Sequence, residues 1–80
     1  MSEMLLSELP EYAVCRVLRV GNSLIKPRLA GLGITEGAEL VKLFSAPCGD
    51  PSAYSVRGTV VALRRCDAAK IVVAGARAWA

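Results

Sequence analysis

The alternation of apolar and polar positions marks short strands along most of this chain. Residues 12–20 set Arg16 between Cys15 and Val17, then Arg19 between Leu18 and Val20. The apolar positions change phase between Val17 and Leu18, as they do where a β-bulge bends a strand. Residues 38–45 read as a second strand through Leu40, Val41, Leu43 and Phe44. Residues 54–57 alternate cleanly, Gly58 and Thr59 mark a tight turn, and Val60, Val61, Ala62 and Leu63 return as the second arm of a hairpin. The last strand is read at Ile71, Val72 and Val73, all β-branched.

The period becomes helical once. Gly21, Asn22 and Ser23 end the first strand and offer Ser23 as a helix N-cap. Leu24, Ile25, Arg28, Leu29 and Leu32 follow at helical spacing. Pro27 falls within the first turn, where backbone N–H groups have no intrahelical acceptor. Gly33 suits a left-handed cap, with Ile34 folding back onto the last turn. Elsewhere the chain turns: Leu9-Pro10 closes a short N-terminal turn, Glu36-Gly37 makes another, and two prolines and a glycine keep the loop at 46–51 out of any ladder. Asp67 is expected to cap one helical turn ending at Ala69. Residues 1–74 form the expected domain, and residues 75–80 a loosely held tail. Five short strands joined by tight turns remove their edges by curling into a small barrel, so the expected fold is all-β with one short inserted α-helix.

Composition narrows what such a domain can do. Eighty residues make one domain, and 54% apolar content argues against disorder. Charges interrupt every apolar run well short of the ~20 residues that a spanning helix needs. The first eight residues carry Glu3 and Glu8 and no basic leader, so a cytoplasmic protein without membrane insertion is expected. Ten basic against seven acidic residues give +3, but the bases group only as Lys26/Arg28 and Arg64/Arg65, with no stacking platform beside them. Nucleic acid is therefore not the expected partner.

Catalytic chemistry has little to work with. The chain has no histidine, three widely spaced cysteines and no C-x-x-C pair, so no metal site is expected. Cys15 and Cys66 read as small buried hydrophobes, and Cys48 as an exposed loop residue. Asp50 and Asp67 lie in turn contexts, where short carboxylates satisfy backbone N–H groups. Gly31-Leu32-Gly33, the one G-x-G, closes a helix where a phosphate cradle would open one. No catalytic residue and no cofactor are expected.

Several segments gain meaning as an ordered set. They are Met4-Leu5-Leu6-Ser7-Glu8-Leu9-Pro10, Cys15-Arg16-Val17, Arg28-Leu29-Ala30-Gly31-Leu32-Gly33-Ile34-Thr35-Glu36-Gly37-Ala38-Glu39-Leu40, Ala46-Pro47-Cys48-Gly49-Asp50-Pro51, Arg57-Gly58, Ala62-Leu63-Arg64 and Ala68-Ala69-Lys70-Ile71-Val72-Val73. Together, over about residues 4–73, they resemble the ferrous iron transport protein A (FeoA) family. The resemblance implies an SH3-like β-barrel without enzymatic activity. It also implies an accessory role beside a ferrous iron permease that has a cytoplasmic GTP-binding domain, and related domains end iron-dependent transcriptional repressors. Two features depart from the family pattern: Gly21-Asn22-Ser23 is shorter and less glycine-rich than is usual there, and Pro27 stands where a basic or polar residue is common.

The helix supplies the expected partner-binding residues, Leu24, Ile25, Arg28, Leu29 and Leu32. A small barrel buries one stripe of so short a helix, and these positions span more than one. Leu29 and Leu32 are expected to plug the open end of the barrel, leaving Leu24 and Ile25 as a docking patch with Arg28 at its rim. Three other readings compete. A nucleic-acid-binding barrel would gather Arg16, Arg19, Arg64 and Arg65 on one face; a metal carrier or sensor would use Cys48, Asp50 and Cys66; an exposed strand edge would support a weak homodimer.

Overall fold

The computed structural model describes residues 3–21 and 24–78, and side chains as far as Gly75. Ser23, Trp79 and Ala80 lie outside the described residues, so the expected Ser23 cap and the end of the tail do too. Six strands form one antiparallel sheet: β1 (Glu3–Leu5), β2 (Ala13–Val20), β3 (Glu39–Ser45), β4 (Ser52–Val56), β5 (Thr59–Leu63) and β6 (Ile71–Ala78). Their order is β1-β6-β2-β3-β4-β5. A 3-10 turn (Leu6–Glu8) follows β1, α1 (Lys26–Gly31) joins β2 to β3, and α2 (Arg65–Ala68) joins β5 to β6.

Bulges curve the sheet. The β2–β6 register shifts between Val14 and Arg16 and again between Val17 and Arg19, where the apolar phase changes in the sequence. A third shift, between Lys42 and Phe44, bends β3 against β4. The concave side holds the core: Leu6, Leu29, Ile34, Leu40, Tyr54 and Ile71 are each at most 1% exposed. At the end of α1, Gly33 takes φ 91°. Its N–H donates to the Ala30 carbonyl at 3.0 Å, and the Ile34 N–H donates to the Leu29 carbonyl at 2.9 Å. That pair of bonds is a Schellman cap, and it turns Ile34 into the core.

Several expectations are corrected. Among the described residues the fold is all-β and its antiparallel sheet is not closed by hydrogen bonds, with β1 and β5 as its edges, so closure into the expected barrel is not confirmed. Each edge strand runs directly into a helical turn, the 3-10 turn after β1 and α2 after β5, and these two turns pack against each other. Side chains therefore join that end of the sheet in place of a ladder. A sixth strand arises because Glu3, Met4 and Leu5 pair with Ala74, Val73 and Val72. β6 continues to Ala78, past the expected end at residue 73, because β2 offers it partners as far as Ala13. Among the described residues there are two short α-helices, the second (α2) standing where one helical turn ending at Ala69 is expected. Asp67 lies inside α2, and the carboxylate that meets its N-terminus is Asp50, whose Oδ1 accepts the Arg65 N–H at 2.8 Å. The hairpin turn sits at Arg57 and Gly58, with φ of 51° and 80°. Cys66, expected to be buried, is exposed. No helix among the described residues is long and apolar enough to cross a membrane.

Candidate functional site

Helix α1 begins with Pro27 in its first turn, so the missing proline N–H costs no intrahelical bond. Leu29 points inward and is fully buried. Its neighbours at helical spacing then fall on the flank: Ile25 is half-buried against the core, Arg28 is exposed, and Leu32 is 44% exposed. These three form one wall of a groove of about 550 Å³. The facing wall comes from Ala62 in β5, Arg64 beyond it and Asp67 in α2.

The structure thus brings three of the five sequence-derived residues together and separates the other two. Leu24, 87% exposed, stands ahead of the helix and does not line the groove. Leu29 supports it from beneath. Leu32 does not plug the sheet; its side chain opens onto the groove. Arg28 spans the gap, its Nη2 meeting Asp67 Oδ2 at 3.0 Å.

The facing wall is also a strand edge. Val56 pairs with Thr59 across the two-residue Arg57–Gly58 turn. Such a turn is closed by a hydrogen-bonded pair, and pairs alternate along the ladder. The N–H and C=O groups of Val60 and Ala62 therefore point away from β4. Val60 is 60% exposed, and β4 is the one strand hydrogen-bonded to β5 among the described residues. The groove consequently joins the Ile25 and Leu32 side chains and a charged rim to outward backbone groups that an extended segment can pair with. Ala62, Arg64 and Asp67 were missed in the sequence because they lie far along the chain from α1. The signal available was the small, outward Ala62 between inward Val61 and Leu63.

The competing constellations do not assemble in the same way. Arg16 donates to the Gly37 carbonyl at 2.7 Å, and Arg19 pairs with Glu3 at 3.3 Å. Both lie on β2, three places along the sheet from β5, which Arg64 and Arg65 follow in the chain. Cys48 donates through its Sγ to the Asp50 carbonyl at 3.0 Å. Among the described residues no three His, Cys, Asp or Glu side chains group as metal ligands.

Comparison with known proteins gives this geometry a family. No curated protein sequence matches the chain. The solution structure of the FeoA protein from Chlorobium tepidum matches with a TM-score of 0.82 and 37% identity, over 88% of this chain and 68% of that one. A FeoA-like protein from Clostridium acetobutylicum matches with a TM-score of 0.84 and 28% identity, over 92% and 87% of the respective chains. FeoA from Stenotrophomonas maltophilia, crystallised with zinc, matches with a TM-score of 0.83 and 33% identity over 96% and 99%. That protein is a prokaryotic SH3 domain protein for which a role as a ferrous iron transport activating factor has been put forward. The family model of the FeoA domain matches residues 4–75, nearly the whole length, and the chain belongs to the FeoA family.

Proposed function

We propose that this chain is a cytoplasmic accessory protein of ferrous iron uptake. It acts by binding the cytoplasmic GTP-binding part of a ferrous iron permease, and it catalyses no reaction itself. One observation carries the reading: in a FeoA-family domain, α1 and the edge of β5 enclose an open groove in which Ile25, Leu32 and Ala62 stand among Arg28, Arg64 and Asp67. Ile25 and Leu32 supply the anchoring surface, Arg28 and Arg64 the charged rim, and the outward groups of Val60 and Ala62 a backbone template. Leu24, next to Ile25 in the chain but outside the groove, presents a separate exposed apolar side chain.

The test is calorimetric titration of the purified permease cytoplasmic domain with the full chain. Leu32→Ser, and separately the pair Leu24→Ser and Ile25→Ser, should weaken binding at least tenfold with unchanged circular dichroism. Wild-type affinity in both variants would exclude this surface. A stable homodimer whose contacts occupy the groove would instead assign it to a second copy.

A further inference from the structure

A second, smaller cavity of about 100 Å³ lies where the Leu6–Glu8 turn, β3, β4 and α2 meet. Its lining is polar: Ser7 from the turn, Lys42 and Ser45 from β3, Ser52 and Tyr54 from β4, and Arg65 from α2. The register explains how a lysine comes to be there. Lys42 pairs directly with Tyr54, and Ser45 with Ser52. Directly paired residues project from the same face of a sheet, and Tyr54 is 1% exposed. These four side chains therefore rise from the core-facing side, where strands ordinarily present apolar groups.

The polar groups are not neutralised among themselves. Ser45 Oγ and Ser52 Oγ share a hydrogen bond at 2.9 Å, and the Tyr54 hydroxyl interacts with Ser52. Among the described residues, neither the Lys42 ammonium nor the Arg65 guanidinium makes an ion pair or hydrogen bond. The neighbouring acid is Asp50, which does not line the cavity; its Oδ1 accepts the Arg65 backbone N–H, and its charge is felt at the Tyr54 phenol. Two cations and a set of hydroxyls thus face one space with no carboxylate in its lining. An apolar group would leave them unsatisfied, and a cation would be repelled. The space of about 100 Å³ admits a small polar group in contact with these side chains.

We propose that this cavity binds a small tetrahedral oxyanion of the phosphate type. Lys42 and Arg65 supply the opposing charge; the Ser7 hydroxyl, and whichever of the Ser45 and Ser52 hydroxyls does not donate in their mutual bond, donate to the remaining oxygens. The oxyanion is either free phosphate or the terminal phosphate of a nucleotide whose remainder stays outside.

The test is an NMR titration of the isotopically labelled full chain with sodium phosphate, against sodium chloride at equal ionic strength. Phosphate should produce saturable shifts at the amides of Ser7, Ser45, Ser52 and Arg65, with a millimolar midpoint. Lys42→Met and Arg65→Gln should each weaken that midpoint at least tenfold, whereas Lys26→Gln, remote from the cavity, should not. Arg65 is exposed, so its variant keeps the test valid if Lys42→Met does not fold. A parallel titration with adenosine diphosphate assigns the source: tighter saturation at the same amides indicates a nucleotide phosphate, and equal or weaker saturation indicates the free ion. Shifts that do not saturate, that chloride reproduces, or that survive both cavity substitutions would overturn the site.

Discussion

Arg28 on α1 and Asp67 on α2 meet across the groove at 3.0 Å, tying the helix to the far wall. The arginine side chain is 63% exposed, so solvent screens the pair and side-chain ordering opposes it. Arg28→Ala should therefore cost less than about 1 kcal/mol in urea denaturation. The same substitution should weaken binding of the permease domain severalfold, because a rim charge acts on association and orientation. A stability loss well beyond that bound would make the pair a structural clasp and not a binding feature.

Gly33 and Val56 are in closer contact than their types suggest. A Cβ added at Gly33 would stand 3.2 Å from Val56 Cγ1, and the backbone there has φ 91°. Gly33→Ala combines left-handed strain with a push on a buried valine, which should cost about 1–3 kcal/mol. At the usual scaling for a domain of this size, each kcal/mol lowers Tm by about 4–8 °C. Gly37→Ala is the matched control, with φ 87° but nothing within 4 Å of the added Cβ. It should cost less, and equal losses would show that packing against Val56 contributes nothing.

What the sequence made legible was local. The Gly33 cap and the return of Ile34 depend on hydrogen bonds within one turn, and the bulge near Val17 shows as a shift in a short alternation. Both were readable for that reason. Strand β1 was not, because three residues carry no usable period and its state is imposed by Val72 and Val73 across the ladder. The continuation of β6 through Ala74 and Gly75 was hidden likewise, since neither residue favours a strand and the pairing partner decides. For the groove, the helical spacing supplied Ile25, Arg28 and Leu32. It could not show that Leu29 is fully buried while Leu32 stays open, nor that Ala62 and Asp67 would form the opposite wall.

Cys15 and Leu40 set a dependence on alkaline pH. Burial lifts the Cys15 thiol from 9.0 to about 11; a hydrogen bond with the Leu40 backbone opposes the rise, and the Glu39 charge adds to it. Between those values the unfolded chain releases the proton and the folded chain keeps it. The unfolded state then binds fewer protons, so stability is whole below pH 9 and falls as pH rises toward 11. For a shift near two units the loss is about 2–3 kcal/mol. Burial raises the Tyr54 phenol as well, which adds a loss of the same sign. Denaturant midpoints between pH 8 and 11 should therefore fall more steeply for the wild type than for Cys15→Ala. Parallel curves would remove the thiol as the cause. In the native protein, thiol reagents should modify exposed Cys48 and Cys66 and spare Cys15.

Ala62 separates two ways of using the groove. Its N–H points outward from β5, so proline there removes a donor available to a partner without breaking the β4–β5 ladder. The residue before it, Val61, already has the extended backbone that a following proline demands. Ala62→Pro should keep the native circular dichroism and lower stability by about 1 kcal/mol, the span of strand propensities, because no ladder hydrogen bond is lost. If the partner lies extended along β5, the substitution should weaken binding at least tenfold. Hydrogen exchange at Val60 and Ala62 should then slow in the wild-type complex and stay fast in the free protein. If the partner docks only by side chains on Ile25 and Leu32, Ala62→Pro binds nearly as well as wild type and those two amides gain no protection. Val61→Pro is the contrasting variant: Val61 pairs with Tyr54 and directs its N–H into the ladder, so this change should unfold the hairpin regardless of the partner.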